Sequence, residues 1–158
     1  MSGEILEIGN VLSYYFSFPH TVVDKYEKSP GVLNEDVVDY VPGRTFDAIV
    51  TISTLEHVGW DEQPREPGKV RRAIEKLKGF VSPGGKLLAT VPLGYNPEVD
   101  ELVRSGTTGF DEVKFLVRVS ARNEWREALL EEVASAKFGA PYSCANALAV
   151  GIFQNRQT

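Results

Sequence analysis

Residues 46–53 read FDAIVTIS, residues 68–78 read GKVRRAIEKLK, and residues 82–91 read SPGGKLLATV. The first is nearly all apolar, and residues 86–91 (KLLATV) of the third read as another buried strand, the pattern of strands covered on both faces. In the middle stretch Val70, Ala73, Ile74 and Leu77 fall on one helical face, and Arg71, Arg72, Glu75, Lys76 and Lys78 turn outward. Pro67 suits the first turn of that helix and Gly79 its end. Ser82-Pro83-Gly84-Gly85 reads as a tight turn before the strand Lys86 to Val91. Strand, helix and strand in this order make a βαβ unit, and the unit predicts a parallel sheet.

The same rhythm continues in both directions. Toward the N-terminus, Glu4 to Ile8 is a short strand ending at Gly9, and Thr21 to Val23 is a second ending at Asp24. Val11 to Phe18 is apolar and aromatic, too short for a full crossover helix and ambiguous in type. Glu35 to Tyr40 reads as a third strand or an edge segment, followed by a turn at Pro42-Gly43. Toward the C-terminus, Asn96-Pro97-Glu98 reads as a helix cap, a proline at the first helical position and an acid in the first turn. That helix is expected to reach about Ser105 and stop at Gly106. Lys114 to Ser120 alternates as a strand, Glu124 to Ser135 reads as helix, and Ala147 to Phe153 is a last apolar strand that can pair antiparallel with 114–120. An exposed last strand would invite homodimers. With no internal repeat or linker, residues 1–158 are expected to form a single domain.

Composition narrows the function classes. The formal net charge is −5, which disfavours a nucleic-acid or anionic-membrane surface, since both rely on clustered Lys and Arg. The local run Lys69, Arg71, Arg72, Lys76 and Lys78 reads as a solvated helix face. Cys144 is the only cysteine, so no intrachain disulfide forms; it reads as a packed or idle thiol. No run approaches the ~20 apolar residues of a membrane span. Glu4 and Glu7 interrupt any signal-peptide core, and the expectation is a soluble cytoplasmic protein.

In open α/β sheets, ligands bind beyond the carboxyl ends of the strands, near the point where strand order reverses. Gly9-Asn10, Asp24-Lys25, Asn34-Glu35-Asp36, Ser53 to His57 and Pro92 to Asn96 stand there. The ordered set Leu6-Glu7-Ile8-Gly9, Val23-Asp24, Asn34-Glu35-Asp36, Phe46-Asp47 with Ile49-Val50, Ser53 to Val58 (STLEHV) and Ser82-Pro83-Gly84-Gly85-Lys86 resembles the class I S-adenosylmethionine-dependent methyltransferases, type 11-like, over about residues 4 to 95. The resemblance implies an α/β, Rossmann-like fold: a mostly parallel doubly wound sheet, helices on both faces and one antiparallel strand near the C-terminus. It implies S-adenosylmethionine as cofactor and a cofactor set of Glu7, Gly9, Asn10, Asp24, Lys25, Asp36, Val37, Ser53 and Thr54. In that reading the Gly9 loop offers free N–H groups to the methionine carboxylate. Asp24 accepts from the ribose hydroxyls, Asp36 contacts the adenine amino group, and Ser53 and Thr54 lie beside the sulfonium. On the residues alone, Gly9 reads as a turn glycine ahead of a ligand loop, while Asp24 is equally a surface acid paired with Lys25 and Asp36 equally a turn cap.

The sequence departs from the family in three places. The glycine loop, usually ExGxGxG, is Glu7-Ile8-Gly9-Asn10-Val11-Leu12 with one glycine. The segment from Gly9 to Thr21 is short for a crossover helix, and an N-terminal covering helix is not expected before the first strand. Tyr14, Tyr15 and Phe16 are candidates to fill the cofactor's place. Glu56 and His57 are the candidate catalytic residues, His57 as general base because its ordinary pKa lies near neutrality. Packing or capping is the alternative for His57, and His20 reads as structural. Some O-methyltransferases carry ExxEH here and bind a divalent metal; with Ser53 in the first position, no metal site is expected. Trp60 reads as a lid, a substrate platform or a loop anchor, and Tyr95 and Asn96 as pocket-lining. The expected activity is methyl transfer to an unidentified small-molecule acceptor. The alternative is a non-catalytic relative that uses the cleft or its surface for binding. A nicotinamide-dependent dehydrogenase is disfavoured because G-x-G-x-x-G is missing.

Overall fold

The computed structural model describes residues 3–156. In chain order the elements are β1 (Ile5–Ile8), β2 (Thr21–Val23), β3 (Val32–Leu33), β4 (Phe46–Ile52), α1 (Lys69–Gly79), β5 (Val81–Pro92), α2 (Pro97–Arg104), β6 (Glu112–Arg118), β7 (Trp125–Ala128), α3 (Leu130–Val133) and β8 (Ala147–Gln154). All eight strands form one sheet in the order β3-β2-β1-β4-β5-β8-β6-β7. The first five are parallel. The antiparallel portion exceeds the one strand expected, because β5–β8, β8–β6 and β6–β7 all pair antiparallel. The chain starts between its own later strands: β2 and β3 extend to one side of β1, β4 and β5 to the other. Strand order therefore reverses between β1 and β4, which opens a crevice at their carboxyl ends.

The FDAIVTIS and KLLATV runs are the paired centre of the sheet, in register from Ala48↔Lys86 to Ile52↔Thr90. The expected turn at 82–85 is instead a bulge within β5, where five steps from Val81 to Lys86 oppose two from Phe46 to Ala48. Gly84, at φ +78°, and Gly85 are pinned there by Asn155 through Gly84 N→Asn155 O and Asn155 N→Gly85 O. Residues 35–40 are a helical turn, not a strand: the amides of Asp39 and Tyr40 both donate to Asp36 O, and the third strand is Val32–Leu33. Residues 124–135 split into β7 and the short α3. Pairing of Trp125 to Ala128 with Arg118 to Phe115 outweighs the helical pattern, a tertiary override of local preference. β8, expected at an edge, lies between β5 and β6.

Val70, Ala73, Ile74 and Leu77 of α1 and Val99, Leu102 and Val103 of α2 bury themselves with Leu87, Ala89, Val91 and Ala149 of the sheet. Val133 of α3 joins Leu93 and Val103 on the same side. All three helices thus cover one face, and the expected helices on the other face are missing among the described residues. The reason is chain length: twelve residues, the bare minimum for a helical crossover, separate β1 from β2, and only eight separate β2 from β3. Residues 11–18 form only one 3-10 turn, Leu12–Tyr14. Among the described residues no helix is long and apolar enough to cross a membrane.

Candidate functional site

The loop after β1 is held from below. Glu7 is fully buried; its Oε1 accepts from the amides of Val11 (2.8 Å) and Leu12 (2.6 Å), and its Oε2 lies 2.8 Å from Nε2 of buried His20. Gly9 N donates to Val23 O at 2.9 Å. The amides of Gly9, Val11 and Leu12 are therefore committed, a correction to the expectation of free donors there. Gly9 has φ +83°, and a Cβ on it would collide with the Thr54 side chain. Only glycine lets the β1 and β4 loops meet this closely. Asn10 is buried; its Nδ2 donates to Glu27 Oε1 at 2.5 Å, and its Oδ1 has no partner.

After β2, Asp24 turns Oδ1 to the amides of Tyr26 and Glu27, both at 2.8 Å. Its Oδ2 makes no hydrogen bond among the described residues. Asp36 follows β3 and takes Lys25 Nζ at 2.8 Å and Lys69 Nζ at 2.7 Å on Oδ2, with the Val38 amide on Oδ1. Lys69 Nζ also reaches Glu62 Oε2 at 2.6 Å although it starts α1 and is buried. Burial opposes ionisation of Asp36, yet the two ammonium groups and the amide hold its carboxyl down at about 2. The cluster ties together the loops after β2, β3 and β4.

At the end of β4 the chain turns sharply. Ser53 sits at φ +46°, a left-handed conformation uncommon for serine, with its amide on Thr90 O at 2.9 Å. A 3-10 turn, Leu55–His57, follows. Glu56 is 1% exposed, its Oε2 has no partner, and burial pushes its carboxyl up to about 7. His57 lies between two carboxylates: Nδ1 is 2.5 Å from Asp61 Oδ2, and Nε2 is 3.6 Å from Glu56 Oε1. Tyr95 OH donates to the same Asp61 oxygen at 2.7 Å, and its ring meets those of His57 and Phe138 edge-on, each at 5.0 Å. Burial and then the Asp61 carboxylate push the Tyr95 phenol up to about 12, so it stays a donor. Asn96 caps α2 by accepting from Glu98 N and ties it back by donating to Glu56 O, both at 2.9 Å.

These loops enclose a cleft of about 340 Å³ at the strand tips, within the size of small-molecule sites. No family model and no curated protein matches the sequence. In structure, the chain is similar to the N-methyltransferase NodS from Bradyrhizobium japonicum WM9 in complex with S-adenosyl-L-homocysteine (TM-score 0.60, 15% identity, 98% of this chain and 79% of that one). It is also similar to a possible histamine N-methyltransferase from Thermotoga maritima (TM-score 0.56, 14% identity, 98% and 83%). A third is a SAM-dependent methyltransferase from Archaeoglobus fulgidus (TM-score 0.56, 14% identity, 96% and 85%). The chain has the fold of the class I S-adenosylmethionine-dependent methyltransferases.

In this methyltransferase fold the structure gathers most of the sequence-derived candidates. Gly9, Asn10, Asp24, Lys25, Asp36, Val37, Ser53, Thr54 and His57 all line the cleft. Glu7 and Glu56 do not: Glu7 lies beneath the loop it braces, and Glu56 is buried behind His57. Tyr14, Tyr15 and Phe16 are 71%, 76% and 60% exposed and form no part of the wall, so the cleft is not filled by the chain's own rings. Trp60 lines no part of it and carries the Arg65 guanidinium 3.8 Å over its ring, a loop anchor. Sequence reasoning missed Glu27, Glu62, Lys69 and Asp61. The His57-to-Asp61 spacing of four was a readable signal for the last; Glu27 reaches Asn10, and Lys69 reaches Asp36, only across loops far apart in the chain. Among the described residues no group of three or more His, Cys, Asp or Glu side chains is placed to hold a metal ion.

Proposed function

We propose that this chain binds S-adenosylmethionine in the strand-tip cleft and transfers its methyl group to a small-molecule acceptor. The observation that carries the proposal is the open cleft itself, with an uncommitted carboxylate oxygen on Asp24 and an unpartnered Asn10 Oδ1 across a side-chain-free Gly9. Asp24 Oδ2 would accept from the ribose hydroxyls and Asn10 Oδ1 from the ammonium of the methionine part. Val37 would flank the adenine, and Ser53 and Thr54 would border the reacting end. When bound, the cofactor supplies an electrophilic methyl carbon; the chain's part is to align the acceptor and take its proton. Asp61, itself held by Tyr95, keeps the proton of His57 on Nδ1, which leaves Nε2 to accept one. Glu56 stands behind Nε2 with a carboxyl that titrates near neutrality and can share that proton. Positioning of this kind supplies roughly 7–11 kcal/mol of a barrier. We place this activity in a single cytoplasmic domain, in keeping with the acidic composition and lone cysteine.

Two observations favour the second reading, a methyltransferase-like binding module. Asp36 is saturated by two lysines, and the loop amides are occupied by Glu7. Calorimetric titration with S-adenosylmethionine and S-adenosylhomocysteine tests the first reading. Binding of both is expected, and Asp24→Ala should weaken it by at least tenfold. No heat at millimolar ligand would discard the cofactor. Equal affinity in the Asp24 variant would discard the ribose assignment. Binding without turnover of any acceptor would select the module.

A further inference from the structure

We propose, resting on the cofactor reading above, that Glu27 decides which end of the Asn10 amide is left for a ligand, and so makes the cleft select a ligand that carries an amino group. Glu27 is then a positioning residue that acts through Asn10.

Glu27 lines the cleft with Asp24 and Asn10. Its backbone is pinned at both polar groups. The amide donates to Asp24 Oδ1 at 2.8 Å, and the carbonyl accepts from Asn34 Nδ2 at 2.6 Å. Its Oε1 accepts from Asn10 Nδ2 at 2.5 Å, Ser29 Oγ at 2.6 Å and Tyr14 OH at 3.1 Å. These three donors are neutral, so none offsets the charge of the carboxylate. The Ser29 hydroxyl and then the Asn10 amide hold the Glu27 carboxyl below its usual range, and an ionised carboxylate only accepts.

An asparagine amide has one donor end and one acceptor end. Turned over, the Asn10 amide would set Oδ1 against Glu27 Oε1 with no proton between them. Glu27 therefore commits Nδ2, and Oδ1 is left without a partner although Asn10 is buried. A buried acceptor left unpaired is costly, and a ligand N–H would satisfy it. The nearby amides of Gly9, Val11 and Leu12 are taken by Val23 O and Glu7, so those three have nothing to offer a ligand carboxylate. A bare carbonyl oxygen beside an unneutralised carboxylate matches an ammonium group and opposes an anion.

Calorimetric titration of the whole chain with S-adenosylhomocysteine, and with its deamino analogue that lacks only the amino group, reads the selection. The wild-type chain should bind the first about tenfold more tightly than the second. Glu27→Met removes the carboxylate; it should weaken S-adenosylhomocysteine about tenfold and leave the analogue within about twofold. In an Asn10→Ala background Glu27→Met should weaken neither compound further, because its effect runs through the amide. Equal wild-type affinity for the two compounds overturns the proposal, leaves the cofactor reading standing and depends on no variant folding. Equal weakening of both compounds by Glu27→Met also overturns it, and so does a further loss in the Asn10→Ala background. No binding of either compound to the wild-type chain removes the cofactor reading and this proposal with it.

Discussion

Glu56 carries a carboxyl near neutrality because burial removes water and offers one of its oxygens nothing in return. Its folded-state pKa of about 7 exceeds the ordinary 4.5, so the folded chain holds the proton more tightly than the unfolded one. The associated stability is complete below about pH 4.5 and is lost as pH rises through 7. Glu56→Gln removes that dependence. Urea unfolding of the two proteins should agree best near pH 4.5, and the variant should gain on the wild type by up to about 3 kcal/mol at pH 8. Parallel stability curves would show that Glu56 titrates like an exposed acid. Gly9 makes the same point about context: its conformation and its contact with Thr54 exclude any side chain there.

Among the elements, the β1 loop depends on a partner at the far end of the same β1–β2 connection. His20 and Glu7 are both buried and 2.8 Å apart, and Glu7 in turn fixes two loop amides. His20→Ala should leave Glu7 Oε2 unpaired and cost about 1–3 kcal/mol in urea unfolding. It should also weaken cofactor binding more than a comparably destabilising change in α1, such as Ala73→Gly; equal effects would deny the loop its brace. Helix α1, helix α2 and strands β4 and β5 were legible in sequence because their apolar spacing is local. The segments 35–40 and 124–135 were not. Residues 35–40 wind around the Asp36 carbonyl, and residues 125–128 are a strand only because β6 lies beside them. The cleft residues were legible as strand ends. Their commitments were not: Asp36 is saturated by a lysine 33 positions away.

Across the whole molecule, a ligand in the cleft joins loops from β1, β2, β3 and β4, so its binding should register on global stability. At 100 times its dissociation constant a ligand adds about 2.7 kcal/mol, roughly a 5–11 °C rise in Tm for a chain of this size. A thermal melt with S-adenosylhomocysteine checks this, and a rise confined to the Asp24 variant's range would place binding elsewhere. The order of apolar runs, turns and strand-end acids was enough to specify a parallel α/β sheet and to mark which loops meet at its tips, since both follow from periodicity and chain direction. Folding alone settled that the aromatic segment leaves the cleft open, that Asp36 and the loop amides are already engaged, and that among the described residues no helix covers one sheet face. Those outcomes depend on contacts between residues far apart in the chain, where spacing carries no information and burial and charge pairing choose the partner.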